Sequence, residues 1–100
     1  MKVYISGAIA HYDLDERRAA FWRASTYLRG QGYEVFNPFE NGLSQDEDWR
    51  KHMRVDIRAL VDCDAIYMLQ GWELSKGAKL ELDVASSCGI PVWFQRETEE

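Results

Sequence analysis

Short apolar runs alternate with amphipathic segments along the sequence, and this alternation restricts the fold more than any other feature. The four apolar runs cover residues 3–6, 34–37, 65–69 and 91–94. Segments of helical composition or periodicity lie between them, at 14–29, around 49–61 and at 75–88. This β-α-β-α-β-α-β order predicts a parallel sheet that helices cover on both faces, with right-handed crossovers.

Length and charge limit the chain to one globular domain. We treat residues 1–100 as a single domain, because this length supports one hydrophobic core, and we expect the tail from Arg96 to fray. A net charge of −5 without a Lys/Arg stripe argues against duplex nucleic acid or an anionic membrane as a partner. No apolar run reaches membrane-spanning length, and the opening segment is predicted to be a strand and not a signal peptide.

The cysteine content bears on the cellular location of the protein, and the aromatic content bears on its oligomeric state. Cys63 and Cys88 have neither metal-ligand nor CxxC spacing, so we interpret both as small buried hydrophobes in a cytoplasmic protein. Four Trp, five Tyr and four Phe are more than so small a domain can bury completely. Some of them are therefore expected to line a pocket or the interface of a homodimer or larger homo-oligomer.

One carboxylate interrupts the apolar side of the third predicted helix. At 100° per residue, Glu81 falls in the middle of a side formed by Gly77, Ala78, Leu80, Leu82, Val84, Ala85 and Cys88. A buried charge is costly unless it is paired, so this glutamate must be paired, protonated or functional. Its small neighbours leave room for a ligand, and the nearby helix N-terminus favours the ionised form. Two interpretations stay open, a nucleophile and a structural partner of a Lys or Arg.

Other candidates lie where ligands bind in such sheets, beyond the carboxyl ends of the strands. Asp56 borders the apolar stripe of the second helix, so it is either an ordinary surface residue or faces the sheet edge. Trp72 is placed to stack on a nucleobase or to cover the core. His11, in the first loop, is a candidate for contact with an anion, whereas His52 is interpreted as a helix-surface residue.

Small residues mark positions where a backbone can approach a ligand. Gly7 ends the first strand and Gly77 opens the third helix. Ser75 is the predicted N-cap of that helix, and its hydroxyl is a candidate for contact with a sugar or phosphate oxygen. There is no metal-ligand spacing, dinucleotide fingerprint or P-loop, so neither a metal nor a cofactor is expected.

Three segments together resemble the nucleoside 2-deoxyribosyltransferase superfamily, which includes base-exchanging transferases and 2′-deoxynucleoside 5′-monophosphate N-hydrolases. They are YISGAI at 4–9, the stretch around Asp56 at 49–69, and SKGAKLEL at 75–82. The similarity spans nearly the whole chain and is closest to small bacterial and phage members. It implies an α/β fold, a flavodoxin-like or Rossmann-like three-layer sandwich with a parallel sheet of four or five strands.

The resemblance also implies a mechanism and a substrate, a nucleoside or a nucleotide. Glu81 would attack C1′ of the sugar, and water or a second base would resolve the covalent glycosyl-enzyme. Asp56 would hold the sugar or help to protonate the leaving base, and Tyr4 would orient the Glu81 carboxylate. The sugar or its 5′ substituent would be surrounded by Gly7, Ile9, Ser75 and Gly77.

The sequence departs from the family pattern at three points. Ala10 stands where the monophosphate hydrolases carry an arginine, so Arg50, Lys51 or His11 would have to contact a 5′-phosphate. Ser75 stands where the transferases carry an aspartate, which favours hydrolysis. Longer relatives complete the site with C-terminal residues of a neighbouring subunit, and we expect that part of the site to be missing or simplified here.

Two other functions stay open. One is a non-catalytic module of the same fold that senses or sequesters a nucleotide. The buried position predicted for Glu81 argues against it, because binding alone gains nothing from a buried carboxylate. The other is a receiver-like interaction domain, which would carry an aspartate where this chain has Leu69, Gln70 and Gly71.

Overall fold

The computed structural model describes residues 1–96, and within this range it confirms the predicted α/β fold with one parallel sheet. The strands are β1 (Lys2–Ser6), β2 (Glu34–Phe36), β3 (Ala65–Met68) and β4 (Val92–Phe94). The helices are α1 (Leu14–Gly30), α2 (Trp49–Val61) and α3 (Lys76–Ser87), and short 3-10 turns cover Pro38–Glu40 and Trp72–Leu74. The tail predicted to fray begins at Arg96, and all of it after Arg96 lies outside the described residues.

The strand order β2-β1-β3-β4 places β1 in the interior of the sheet. Tyr4 of β1 is in register with Phe36 of β2 and with Ile66 of β3. From β1 the chain moves outward to β2 and then returns to β3 on the other side. The carboxyl ends of β1 and β3 are therefore neighbours at the point where the winding reverses, which is where open α/β sheets bind ligands.

Alternation along the strands divides the core into two layers. On one face, Val3 and Ile5 pack with α1 in a cluster completed by Phe21, Ala24, Leu28, Ala65, Tyr67 and Leu69. On the other face, Tyr4 packs with α2 and α3 in a cluster completed by Leu60, Cys63, Ile66, Met68, Ala78 and Ala85. Successive residues of a strand point to opposite faces, so β1 contributes to both layers.

Two burial predictions on α3 are wrong. The buried stripe of this helix consists of Ala78, Glu81 and Ala85, which is narrower than predicted, and Leu80 is 41% exposed. Cys63 is buried as predicted, but Cys88 is exposed. Cys88 is the C-cap of α3 and precedes Gly89, whose left-handed φ of 72° turns the chain away from the helix.

Within the described residues, no helix is both long enough and apolar enough to cross a membrane.

Candidate active site

An open cavity of about 730 Å³ lies at the carboxyl ends of β1 and β3. Its size is typical of sites for small molecules. Asp56 of α2 and Glu81 of α3 both line it. Five further residues singled out from the sequence also lie in its wall, namely Gly7, Ile9, His11, Ser75 and Gly77.

The Glu81 carboxylate is held by two hydroxyl groups from β1. The Tyr4 hydroxyl donates to Oε2 at 2.5 Å, and the Ser6 hydroxyl donates to Oε1 at 2.6 Å. Both donors point to the same face because they are two residues apart on one strand. These lengths are typical of hydrogen bonds from a hydroxyl to a charged carboxylate. The side chain is 5% exposed and lines the cavity, so its orientation is set before a ligand arrives.

Burial is the main influence on the ionisation of Glu81. Burial first, and the charge of Asp56 to a smaller extent, raise its pKa to about 7, although the hydrogen bonds from Ser6 and Tyr4 lower it. The helix N-terminus was expected to keep this group ionised, but desolvation is stronger, so both forms are populated near neutral pH. Burial, followed by the charge of Glu81, raises the pKa of Tyr4 well above its ordinary value, which keeps this phenol a hydrogen-bond donor.

The structural interpretation of Glu81, a partner for a Lys or Arg, is not what the geometry shows. Among residues 1–96, the hydrogen bonds to this carboxylate come from the hydroxyl groups of Tyr4 and Ser6. Ser6 was part of the motif that carried the family resemblance, but its role was missed. Its position two residues after Tyr4 on a buried strand was the signal that would have found it.

Asp56 is a buried cavity residue and not an ordinary surface aspartate. Its side chain is 5% exposed, and the Asn41 side-chain amide donates to Oδ1 at 2.9 Å. Burial raises the pKa of Asp56, although the hydrogen bond from Asn41 and the charge of His52 lower it. Asn41 was not among the candidates from the sequence, because no sequence signal tells where the side chain of a loop asparagine points.

His52 also differs from its interpretation as a helix-surface residue. It is half-buried in the cavity wall. Its Nδ1 lies 3.1 Å from Asn41 Nδ2, and its Nε2 lies 2.9 Å from the Ser44 carbonyl oxygen. His52 therefore links α2 to the loop that follows β2.

Close packing accounts for one of the two glycines of the cavity wall. A Cβ added to Gly7 would lie 3.1 Å from two atoms of the Leu69 side chain, which is tighter than most real contacts. A Cβ added to Gly77 would meet the sulfur of Met53 at 3.4 Å, an ordinary contact distance. Gly7 therefore allows the first loop to pack against the segment after β3, whereas Gly77 has room for a small side chain.

Two further wall residues adopt specific local conformations. Ser75 is the N-cap of α3, as predicted, and its hydroxyl accepts the backbone N–H of Ala78 at 3.1 Å. His11 has a left-handed φ of 71°, an unusual conformation for a residue other than glycine. Both residues line the same cavity as Glu81.

Trp72 does not line the cavity, so its predicted stacking on a nucleobase is not what its position supports. It packs against the core cluster on the α2 and α3 side, and its ring centroid lies 5.9 Å from that of Phe94. The tryptophan in the cavity wall is instead Trp49, which begins α2 and is 40% exposed. The Lys76 ammonium lies 5.2 Å from its ring centroid.

Three residues were expected to contact a 5′-phosphate in place of the family arginine, and only one of them lies in the cavity wall. Arg50 pairs with Asp48 at 3.2 Å and Lys51 pairs with Glu47 at 3.1 Å, and neither basic side chain lines the cavity. His11 does line it, as does Lys76. Within residues 1–96, no three His, Cys, Asp or Glu side chains converge in a way that would hold a metal ion.

Comparison with known proteins places the chain in a family and identifies its fold. Residues 1–94 match the family model described as a domain of unknown function, DUF4406. By sequence, no curated protein matches the chain.

Two solved structures are similar to the protein. One is a 2-deoxyribosyltransferase from Bacillus psychrosaccharolyticus, with a TM-score of 0.72 and 21% identity over 94% of this chain and 71% of that chain. The other is a CMP N-glycosidase from Clostridium botulinum, with a TM-score of 0.65 and 21% identity over 94% of this chain and 67% of that chain. At this level of identity the likeness establishes the common flavodoxin-like fold.

Proposed function

The chain belongs to the DUF4406 family, and we propose that it cleaves the N-glycosidic bond of a nucleoside or nucleoside 5′-monophosphate. The observation that carries this proposal is the buried Glu81 carboxylate, which Tyr4 and Ser6 orient in the wall of a cavity that also holds Asp56. A carboxylate fixed in this way is suited to attack an electrophilic sugar carbon.

The proposed reaction uses the two carboxyl groups in different roles. An oxygen of ionised Glu81 bonds to C1′ while the C1′–N bond breaks and its electron pair moves to the base. Asp56 passes a proton to the departing base. Water then attacks C1′, Asp56 accepts a proton from it, and the C1′–O bond to Glu81 breaks. The transition states have oxocarbenium character, as in retaining glycosidases, and a carboxylate beneath C1′ stabilises that positive charge.

The solved neighbours support this choice of reaction. One is named for transfer of a 2-deoxyribosyl group and the other for N-glycosidic cleavage of CMP, so both act at the bond between a sugar and a base. We favour hydrolysis over transfer, because Ser75 replaces the aspartate that the transferases are expected to carry. The remaining wall residues, including Gly7, Ile9 and His11, would surround the sugar or its 5′ substituent.

We also propose that the protein self-associates. Large apolar side chains stay exposed in the single chain, among them Trp22 at 62%, Leu74 at 71% and Phe94 at 54%. Leu74 lies at the cavity itself, so a second subunit there would enclose the substrate. Light scattering after gel filtration tests this, and a monomer at assay concentration would contradict it.

A base-release assay tests the proposed activity. Deoxynucleosides, ribonucleosides and their 5′-monophosphates would each be incubated with the wild type and with Glu81→Gln, with and without a second free base. We expect release that depends on Glu81, with a loss in the variant on the order of 10⁴-fold or more, as for removal of other nucleophiles. Undiminished release by the variant, or no release from any substrate, would contradict the proposal.

A further inference from the structure

The Asn41 side chain makes three hydrogen bonds that define its orientation. Its Oδ1 accepts the backbone N–H of Leu43 at 3.0 Å. Its Nδ2 lies 2.9 Å from Asp56 Oδ1 and 3.1 Å from His52 Nδ1. Exchange of the amide oxygen and nitrogen would bring two donors together at Leu43 and two acceptors together at Asp56, so only one orientation satisfies all three contacts.

The same contacts define the tautomer of His52. Its Nε2 lies 2.9 Å from the Ser44 carbonyl oxygen, which can only accept, so Nε2 carries the ring hydrogen. In the neutral ring Nδ1 is then an acceptor, which matches the Asn41 amide that faces it. His52 thus occupies one of the two amide hydrogens, and the other is directed at Asp56.

We propose that Asn41 and His52 are positioning residues that keep Oδ1 of Asp56 an acceptor, so that the proton which Asp56 gives to the leaving base resides on Oδ2. Asn41 Nδ2 can only donate, and an unprotonated Oδ1 accepts from it better than a hydroxyl oxygen does, so the contact favours the proton on Oδ2. His52 acts through Asn41, because it holds the amide in the orientation that faces Asp56. This inference rests on the proposed function, since it assigns the oxygen that serves as the general acid.

The consequence for the reaction is a defined direction for proton transfer. The proton leaves Oδ2 for the base as the C1′–N electron pair moves to the base and Glu81 bonds to C1′. Asp56 becomes a carboxylate, and the Asn41 donor at Oδ1 stabilises the charge that develops there. Loss of that donor would therefore slow reactions in which the base must be protonated, and would have little effect on a base that leaves without a proton.

Two matched substrates separate this role from a general effect on the site. The base of 2′-deoxyguanosine needs a proton to leave, whereas that of 7-methyl-2′-deoxyguanosine already carries a positive charge. Asn41→Asp keeps the oxygen that accepts from Leu43 but removes the amide donor. We expect kcat/KM, which reports the steps up to base release, to fall on the order of 10²-fold for deoxyguanosine, a typical contribution of general acid catalysis, and to change less than about threefold for the methylated substrate.

Variants of His52 and a surface control complete the kinetic test. His52→Leu removes the acceptor and should reproduce the selective loss, whereas His52→Gln supplies an amide oxygen and should restore part of it. Arg54→Gln, at an exposed position of the same helix, should leave both rates unchanged. Equal losses on both substrates, or no loss on either, would overturn the proposal.

Nitrogen-15 NMR of the imidazole tests the geometry without any turnover. In the neutral form of the ring, the wild type should carry the His52 hydrogen on Nε2, and Asn41→Asp should alter the Nδ1 signal. A hydrogen on Nδ1 in the neutral wild type would overturn the proposed arrangement. If the wild type releases no base from any substrate, the proposed function fails, and the NMR result still decides the hydrogen-bond assignment.

Discussion

The two faces of the sheet are built from the same strands and each has an apolar cluster, but the face covered by α2 and α3 also holds two buried carboxyl groups. On the α1 face, Val3 and Ile5 of β1 join an apolar cluster. On the face covered by α2 and α3, the next residues of the same strand, Tyr4 and Ser6, donate hydrogen bonds to Glu81. One strand therefore contributes to a dry core and to a polar site at once, because its side chains alternate.

The difference shows how so small a domain can hold a buried carboxyl group. The α1 face is an apolar cluster that stabilises the fold through burial. The other face contains Asp56 and Glu81, both 5% exposed and both with pKa values raised by burial. We infer that the first face supplies much of the stability that the second face lacks, and three measurements can break or sharpen this comparison.

The largest expected loss of stability follows a substitution that leaves an empty space in the core on the α1 face. Leu28 is 2% exposed and lies outside the cavity wall. Leu28→Ala should lower the free energy of unfolding by about 2–5 kcal/mol, as for other leucines in well-packed cores. Urea unfolding measures this loss, and base release below the transition should keep the wild-type kcat. A loss of less than about 1 kcal/mol would show that this face is not the main source of stability.

Removal of the Glu81 carboxylate from the other face should raise the free energy of unfolding of the protein, but only at higher pH. The pKa of Glu81 is about 7 in the folded chain against an ordinary 4.5, so folded molecules keep a proton that unfolded molecules lose. As pH rises from about 4.5 to about 7, this group should therefore lower the free energy of unfolding by about 3 kcal/mol, with no further change above that range. Below about 4.5 both states are protonated and the contribution vanishes.

Glu81→Gln removes this carboxyl group and should therefore weaken the dependence of the free energy of unfolding on pH. Urea unfolding of the wild type and of the variant at pH 5 and pH 8 measures it. Between pH 5 and pH 8, the difference in unfolding free energy between the two proteins should shift by about 2–3 kcal/mol toward the variant, because part of the effect is already present at pH 5. Parallel behaviour of the two proteins would mean that Glu81 keeps an ordinary pKa in the folded chain.

The smallest expected effect is that of one hydrogen bond. Ser6→Ala removes the donor at Oε1, which favours the charged form of Glu81, so the pKa of Glu81 should rise. Because the proposed nucleophile is the ionised form, kcat/KM in the wild type should increase with pH up to about 7, and the variant should need a higher pH. The pH profiles of both proteins measure the shift, and a shift to lower pH would contradict the role of Ser6.

The fold was predictable from the sequence because each strand and helix carries its own periodicity. Glu81 was predictable for the same reason, since a charged residue within an apolar helical stripe is visible in sequence. Asn41 and His52 were not, because their contacts depend on how the loop after β2 folds over α2. The sequence left Trp72 open between stacking on a nucleobase and covering the core for a similar reason, because its packing against Phe94 depends on the path of the loop after β3.

The central claim is that Glu81 becomes covalently bonded to the sugar. A nucleoside with fluorine at C2′ would slow both steps, because the fluorine destabilises positive charge at C1′, and denaturation followed by intact-mass measurement would detect the intermediate. The account predicts an added mass of one fluorinated pentosyl group, located on the peptide that contains Glu81 and absent from Glu81→Gln. A label on another residue, or continued release of base by Glu81→Gln, would contradict it.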